Sequence, residues 1–201
     1  MAKAETRYLF IDTETTGLDP NRHGLVQVAM LVLEEDEEDN RELARLNIFF
    51  KSDEWRDIDL KALQINRIQV RDYLSKSPHD DRDFDNQEAI TLISDFLTKY
   101  INRDTLVIGH NINFDLEFIE SALDKFRIKI DKLITSNQLI DTLSIANFLH
   151  DSGVIDLSDG KSLDKLEAAL GLTSPESSPF HDAMEDVVRL KRVYEALVGI
   201  V

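Results

Sequence analysis

The sequence predicts an α/β fold with a mixed central sheet flanked by helices. Short apolar runs typical of buried strands come first in the chain, and amphipathic helical patterns then alternate with one further strand. A length of 201 residues suits one domain with a sizeable core. Because the chain contains no internal repeat and no linker, we expect residues 1–201 to form a single domain.

Four segments have the composition of strands. Residues 8–11 are apolar, aromatic or β-branched, which is typical of a buried strand. Residues 26–33 and 44–50 continue this pattern, and the acidic stretch 34–40 between them predicts the solvated turn of a hairpin. Residues 105–108 predict a fourth buried strand, which lies between two helices in the chain.

The other regular elements are expected to be helices, because their apolar residues recur at helical spacing. Residues 75–87 combine a proline with many aspartates and few apolar side chains, which predicts a mobile loop. The predicted helical segments are 61–74 (one or two short helices), 88–100, 113–126, 139–149, 163–170 and 180–198.

The first strand leads directly into two acids, Asp12 and Glu14. Side chains at i and i+2 of a strand project from the same face, so the two carboxylates should lie side by side. Unpaired buried carboxylates are costly, and a shared cation removes that cost. Oxygen ligands suit Mg²⁺ or Mn²⁺ rather than Zn²⁺. A helix cap or an ion pair at the strand end is the structural alternative.

Two later segments carry further candidate residues. Asp115 follows a buried strand and falls in the first turn of the next helix, where an acid commonly complements the helix dipole. His181 and Asp186 open the last predicted helix. In one continuous helix they would diverge by about 140°, at ~100° per residue. They can face one site if His181 lies in the loop or at the helix start and Asp186 lies inside the helix.

Together these segments resemble the DEDDh superfamily of 3′–5′ exonucleases. Within the superfamily the resemblance is greatest to the proofreading exonuclease subunits of bacterial replicative DNA polymerases, and it extends over residues 8–197. The match lies in D-x-E-T-T-G at 12–17, H-N-x-x-F-D at 110–115 and H-x-A-x-x-D at 181–186, with further similarity in A-L-Q-I-N-R-I at 62–68 and D-T-L at 141–143.

The resemblance implies a ribonuclease-H-like sheet and two divalent metal ions, Mg²⁺ or Mn²⁺. By analogy, Asp12, Glu14 and Asp186 would hold the first ion. Asp12 would bridge to the second ion, which Asp115 would support. His181 would act as the general base, and a histidine rather than a tyrosine at this position is the mark of the DEDDh branch.

The resemblance also implies a set of residues that contact the terminal nucleotide. Gly17 would permit close approach of the backbone, and Leu18 would offer an apolar wedge against a base. Asn111 would provide a polar contact. The complete predicted set is Thr15, Thr16, Gly17, Leu18, Ala62, Ile65, Asn66 and Asn111.

The expected function is hydrolysis of terminal phosphodiester bonds from a 3′ end, with release of 5′-mononucleotides and with single-stranded or frayed DNA as the substrate. RNA or a short oligonucleotide is the alternative substrate, because recognition of a 2′-hydroxyl depends on pocket geometry. A non-catalytic nucleic-acid-binding or polymerase-associated scaffold is less favoured, because all five predicted active-site residues are present.

The composition narrows the choice of partners. A formal net charge of −16 argues against a protein that coats long duplexes, because phosphate binding favours a basic surface. The resemblance implies nucleic-acid 3′ ends as the ligands and a polymerase or another replication or repair protein as the candidate protein partner. The chain has no cysteine and no long apolar run, so we expect no membrane association and a cytoplasmic location. The sequence does not indicate an oligomeric state.

Overall fold

The computed structural model describes residues 6–35, 40–50, 58–59, 83–84, 86–172 and 182–200. The strands in these residues are β1 (Arg7–Thr15), β2 (Leu25–Glu34), β3 (Arg41–Phe50), β4 (Asp83–Phe84), β5 (Leu106–Gly109) and β6 (Leu139–Asp141). The helices are α1 (Asn86–Tyr100), α2 (Ile112–Asp124), α3 (Thr142–Asp151), α4 (Leu163–Ala169) and α5 (Ala183–Ile200).

All of these strands belong to one sheet, in the spatial order β4-β3-β2-β1-β5-β6. Strands β1, β2 and β3 form an antiparallel meander. Strand β5 runs parallel to β1, β6 runs parallel to β5, and β4 runs parallel to β3. The mixed central sheet predicted from the sequence is therefore confirmed.

The two faces of β1 pack against different helices. Leu9 and Ile11 are fully buried in a core that also contains side chains of α1 and α2. Phe10, which lies between them, points to the opposite face and packs in a second core with Val187 and Leu190 of α5. Helices thus cover both faces of the sheet, which explains why all of β2 is buried and apolar side chains dominate it.

Helix α4 packs beside α5 through a third apolar cluster. Leu166 of α4 is fully buried next to Val193 and Leu197 of α5. Helix α3 contributes Ala146 and Leu149 to the same cluster. This packing brings the polar side chains of α4 within reach of α5. None of the helices that the structure describes is long and apolar enough to cross a membrane.

Two segments differ from the sequence-based expectations. The prediction of one helix over 139–149 is wrong, because Leu139–Asp141 forms the edge strand β6 and α3 begins at Thr142. The prediction of a loop over 75–87 is wrong at its end, because Asp83–Phe84 pairs with the end of β3 and α1 begins at Asn86. Residues 75–82 and 85 lie outside the described residues. Pairing with a neighbouring strand decides both cases, and strands of two or three residues are too short to show an alternating pattern.

The remaining predicted elements agree with the structure as far as it describes them. Glu34 pairs with Arg41, as the predicted hairpin requires, and residues 36–39 of its turn lie outside the described residues. The last helix begins at Ala183 rather than at residue 180, and residues 173–181 lie outside the described part. The one or two short helices expected over 61–74 also lie outside the described residues.

Candidate active site

The end of β1 carries two acids past the point where its parallel neighbour pairs with it. Strand β1 pairs with β5 only as far as Phe10, whereas its pairing with β2 continues to Thr15. Asp12 and Glu14 lie on this extension, and alternate residues of a strand share a face. Both carboxylates therefore project from the face on which Phe10 meets α5.

Helix α5 brings a third carboxylate to this end of the sheet. Asp186 lies in the first turn of α5, inside the helix as the sequence pattern predicts. Asp12, Glu14 and Asp186 each have a carboxylate oxygen within 4.8 Å of the other two. Glu14 is buried, and the other two are partly exposed. A cation at roughly 2.0–2.6 Å from each oxygen would fit this spacing.

Asp115 reaches the same end of the sheet from the opposite face. It is buried in the first turn of α2, which packs on the face that contains Leu9 and Ile11. Thr13 Oγ1 donates a hydrogen bond of 2.8 Å to Asp115 Oδ1. Among the residues that the structure describes, the three clustered carboxylates thus have a fourth carboxylate beside them.

Burial and neighbouring negative charges raise the proton affinity of two of these acids, Asp12 and Asp115. Burial raises the pKa of Asp12 well above its usual range, and the negative charges of Asp115 and Glu14 raise it further. Burial also raises the pKa of Asp115 to about 7, although the hydrogen bond from Thr13 acts in the opposite direction. Because a bound cation relieves this repulsion and stabilises the charged forms, the electrostatics favour a metal site.

The start of α5 is fixed by a buried amide side chain of β2. Gln27 Nε2 donates a hydrogen bond of 3.0 Å to Asp182 Oδ1, and Gln27 Oε1 accepts one of 3.0 Å from the backbone N–H of Ala183. Asp182 Oδ1 also accepts a hydrogen bond of 2.8 Å from the backbone N–H of Met184, as a helix cap does. These contacts tie the first turn of α5 to the sheet, immediately after His181 in the chain.

Asp186 is also bound by an arginine one turn later in α5. Arg189 Nη1 donates a hydrogen bond of 2.9 Å to Asp186 Oδ1. The same guanidinium donates to Asp164 Oδ1 at 2.8 Å and to Glu167 Oε2 at 3.0 Å, both on α4. Glu167 is buried and also pairs with Arg192. Burial lowers the pKa of Arg189, but the hydrogen bonds to Asp164 and Glu167 outweigh it and hold that pKa above its usual range.

The turn between β5 and α2 depends on two unusual backbone positions. A Cβ on Gly109 would lie 2.5 Å from Ile112 Cδ1, so only glycine fits there without a shift. Asn111 adopts a left-handed conformation with φ 68°, and its backbone N–H donates a hydrogen bond of 2.7 Å to Asp141 Oδ1. Asp141 also caps α3. The turn leaves the side chain of Asn111 exposed beside the start of α2.

His110, in the same motif, has a structural position. Its Nε2 lies 2.8 Å from the carbonyl oxygen of Lys161, and its Nδ1 lies 3.0 Å from Thr142 Oγ1. Burial lowers the pKa of His110, which favours the neutral ring. With both ring nitrogens engaged, His110 joins α3 to the loop before α4 and is not available as a metal ligand.

The segment after β1 is closed by its own hydrogen bonds. The backbone N–H of Thr16 donates to Gly24 O at 2.9 Å, and the backbone N–H of Gly24 donates to Thr16 Oγ1 at 2.9 Å. Thr15 Oγ1 donates a hydrogen bond of 2.7 Å to Gly17 O. Leu18 is 75% exposed on this loop. Leu18 therefore projects into solvent from a closed loop, and its role as a wedge against a base stays a prediction.

Gly17 has a close neighbour within the protein itself. A Cβ at this position would lie 2.2 Å from Cδ2 and 2.4 Å from Cγ of the His23 ring. That ring is fixed by a hydrogen bond of 3.0 Å, which the backbone N–H of Asp19 donates to His23 Nδ1. Glycine is therefore needed here for packing, and the close approach of a nucleotide to Gly17 stays a prediction.

Four predicted site residues, His181, Ala62, Ile65 and Asn66, lie outside the described residues, so their roles stay predictions.

The structure also adds three residues that the sequence motifs do not include, Thr13, Gln27 and Arg189. Gln27 has a sequence signal, because it is a polar residue within an otherwise apolar strand. For Thr13 and Arg189 the sequence gives no signal of a role in the site beyond their spacing from acidic neighbours.

Comparison with known proteins identifies the class that this fold and site define. The model of the RNase T-type exonuclease family matches residues 9–194, so the chain belongs to this exonuclease family. It is a 3′–5′ exonuclease of the DEDDh superfamily, as the sequence motifs predict. Exonucleases of this family generally use divalent metal ions, and the acidic cluster supplies suitable oxygen ligands.

Curated relatives include the epsilon subunits of DNA polymerase III. The subunit from Rickettsia prowazekii (strain Madrid E) is 29% identical over 194 residues, which cover 96% of this chain and 74% of the relative. The subunit from Escherichia coli (strain K12) is 27% identical over 208 residues, which cover 99% of this chain and 74% of the relative.

Solved structures with the same fold include exonuclease I. A product-bound exonuclease I matches with a TM-score of 0.72 and 18% identity, over 97% of this chain and 44% of that chain. Exonuclease I of E. coli in complex with a dT13 oligonucleotide matches with a TM-score of 0.70 and 21% identity, over 96% of this chain and 40% of that chain. The likeness confirms the ribonuclease-H-like fold, although this chain spans less than half the length of those structures.

Proposed function

We propose that this enzyme removes nucleotides one at a time from the 3′ ends of single-stranded or frayed DNA and releases 5′-mononucleotides. The observation that carries the proposal is the convergence of three carboxylates within 4.8 Å, with the buried carboxylate of Asp115 beside them. Residues 1–201 would act as one exonuclease domain.

Two Mg²⁺ or Mn²⁺ ions are the proposed cofactors. Asp12, Glu14 and Asp186 would hold the first ion, and Asp12 and Asp115 would hold the second. The donor set consists of carboxylate oxygens, which both metals prefer, and the raised pKa of Asp12 marks a position where a cation relieves repulsion. When bound, such ions clamp the scissile phosphate, activate the attacking water and stabilise the leaving 3′ oxygen.

The protein's own residues would move the proton and orient the substrate. His181, which directly precedes the anchored start of α5, would accept the proton of the attacking water. Leu18 would pack against the terminal base, and the exposed amide of Asn111 would make a polar contact. Further contacts are proposed for Thr15, Thr16, Gly17, Ala62, Ile65 and Asn66.

Two considerations support single-stranded DNA as the substrate. A net charge of −16 leaves little basic surface for a long duplex, so contacts should be confined to the terminal nucleotides. A paired end must first be unstacked, at a cost of roughly a few kcal/mol. The exonuclease I structures of similar fold include complexes with dT13 and dA16 oligonucleotides.

The protein partner is proposed from the relatives. Because the curated relatives are named as subunits of DNA polymerase III, we propose a polymerase as the partner and the cytoplasm as the location.

The direct test is an end-specific nuclease assay. Purified protein with Mg²⁺ or Mn²⁺ is given single-stranded DNA, duplex DNA and RNA of equal length, labelled at each end in turn. We expect chelator-sensitive release of mononucleotides from the 3′ end, fastest on single-stranded DNA, and a large loss of activity in Asp12→Ala. Faster cleavage of RNA than of single-stranded DNA would show that RNA is the preferred substrate. Cutting of closed circular strands as fast as linear strands would contradict exonuclease action.

A further inference from the structure

Arg189 is held independently of the carboxylate that it binds on its own helix. Two of its three carboxylate partners, Asp164 and Glu167, belong to α4, and Glu167 is buried. The Arg189 side chain itself is only 16% exposed. The guanidinium is planar and donates in a fixed fork, so partners on α4 define its orientation before any contact with Asp186. It is therefore a preset donor and not a mobile surface side chain.

This donor restrains one oxygen of Asp186. Arg189 Nη1 binds Asp186 Oδ1 at 2.9 Å, while an oxygen of Asp186 lies within 4.8 Å of ligand oxygens of Asp12 and Glu14. A carboxylate held by a hydrogen bond has fewer orientations to lose when it binds a cation. Residues that orient metal ligands in this way typically change metal affinity or activity by about 10–100-fold when they are replaced.

Two opposite effects of Arg189 on a cation must be weighed. Its positive charge repels a cation, whereas its hydrogen bond holds the ligand in place. The charge is largely compensated, because Asp164 and Glu167 lie against the same guanidinium. Orientation of Asp186 is then the larger effect, so loss of the arginine should weaken metal binding rather than strengthen it.

We propose that Arg189 is a positioning residue that orients Asp186 for metal binding, and that α4 takes part through Asp164 and Glu167. This inference rests on the proposed function, because it assumes that Asp186 is a metal ligand. The sequence motifs do not reveal the contact between α4 and Arg189, because Asp164 and Glu167 precede Asp186 by about 20 residues in the chain.

The test compares Arg189→Gln, Arg189→Lys and the control Arg192→Gln. Arg192 lies one turn further along α5 and pairs with the same Glu167, so its loss disturbs the same helix contact. Binding of Mn²⁺ alone is measured by calorimetry, and the Mn²⁺ concentration for half-maximal activity is measured in parallel. We expect Arg189→Gln to weaken Mn²⁺ binding by about 10–100-fold. Arg189→Lys keeps the charge without the fork and should fall between that variant and the wild type, whereas Arg192→Gln should leave Mn²⁺ binding unchanged.

The outcomes separate the two levels of the argument. Wild-type protein that does not bind Mn²⁺ would overturn the proposed metal site itself. Wild-type binding with unchanged or tighter binding in Arg189→Gln would overturn only the positioning role, since a purely electrostatic arginine predicts that result. If Arg189→Gln does not fold, Arg189→Lys decides, and wild-type Mn²⁺ affinity in that variant contradicts the proposal. Thermal unfolding without metal shows whether a variant has lost stability alone.

Discussion

The two elements that supply the clustered carboxylates are held in place by different means. Strand β1 is bonded through its backbone to β2 along its length, so the register of the sheet places Asp12 and Glu14, here called the strand carboxylates. The first turn of α5 is placed instead by side chains, because Gln27 binds its start and Arg189 binds Asp186, here called the helix carboxylate.

This difference predicts where the site is sensitive to mutation. A backbone ladder does not depend on the identity of neighbouring side chains, whereas each contact around α5 depends on one residue and its geometry. We therefore expect substitutions around the strand carboxylates to matter mainly when they remove a ligand. Substitutions around the helix carboxylate should matter even when every ligand is retained.

Removal of a ligand from either element should have the largest effect. Asp12→Ala and Asp186→Ala should each abolish most of the rise in unfolding temperature that Mn²⁺ or Mg²⁺ causes in the wild type. Activity should fall by roughly 10³-fold or more, since metal catalysis supplies several kcal/mol and each ~1.4 kcal/mol is tenfold. Thermal unfolding with and without metal, together with initial rates, measures both. A full metal response in either variant would show that its carboxylate is not a ligand.

Removal of the proposed base should separate catalysis from metal binding. His181→Ala should keep the metal-induced stabilisation but lose about 10²–10⁴-fold in turnover, the usual contribution of general acid–base catalysis. The rise of activity with pH near neutrality should also flatten. His181→Gln is the matched variant, because it keeps a polar side chain of similar reach. Near-wild-type turnover and an unchanged pH profile in that variant would remove His181 from the mechanism.

Asp115, the buried acid on the opposite face of the sheet, should make stability depend on pH. Because the pKa of Asp115 is raised from 3.8 to about 7, protonation of Asp115 favours the folded state. This contribution to stability is fully present below pH 3.8 and is lost as the pH rises through about 7. Metal-free wild type should therefore lose stability over this window, and Asp115→Asn should show a flatter curve. Unfolding temperature against pH in a chelator measures this. A wild-type curve that rises through the window would contradict the assignment.

The smallest effects should come from the supporting hydrogen bonds, and they test the comparison most directly. Gln27→Leu leaves the backbone N–H of Ala183 without its partner and should lower the free energy of unfolding by about 1–3 kcal/mol. Thr13→Val should lower it by only about 0.5–1.5 kcal/mol, because backbone groups also donate to Asp115. Denaturant unfolding of both variants gives the two values. Equal decreases in the free energy of unfolding in the two variants would mean that α5 does not depend on side-chain contacts more than β1 does.

Most of the sheet could be predicted from the sequence, because its central strands are long apolar runs. The strand carboxylates were placed by the alternation of β1, and Asp186 by its position inside the last helix. Strand β6 was not predicted, because Leu139–Asp141 continues the apolar spacing of the helix that follows it. Asp141 caps α3, and an acid before Thr142 is the kind of signal that marks a helix start.

The supporting contacts could not be predicted in the same way. Gln27 and Asp182 are separated by 155 residues in the chain, and no local pattern relates a polar residue in a strand to the start of a distant helix. The grouping of Arg189 with Asp164 and Glu167 depends on how α4 packs beside α5. Tertiary packing decides such contacts, whereas the sequence motifs identify the ligands themselves.

The packing of Gly17 against His23 has a consequence for the evolution and redesign of this loop. Since a Cβ at position 17 would come within 2.2 Å of the imidazole, the two positions are coupled sterically. In an alignment of relatives, a larger residue at position 17 should coincide with a smaller residue at position 23. A loop grafted from another exonuclease would have to include both positions, because a graft that ended between them would combine incompatible halves.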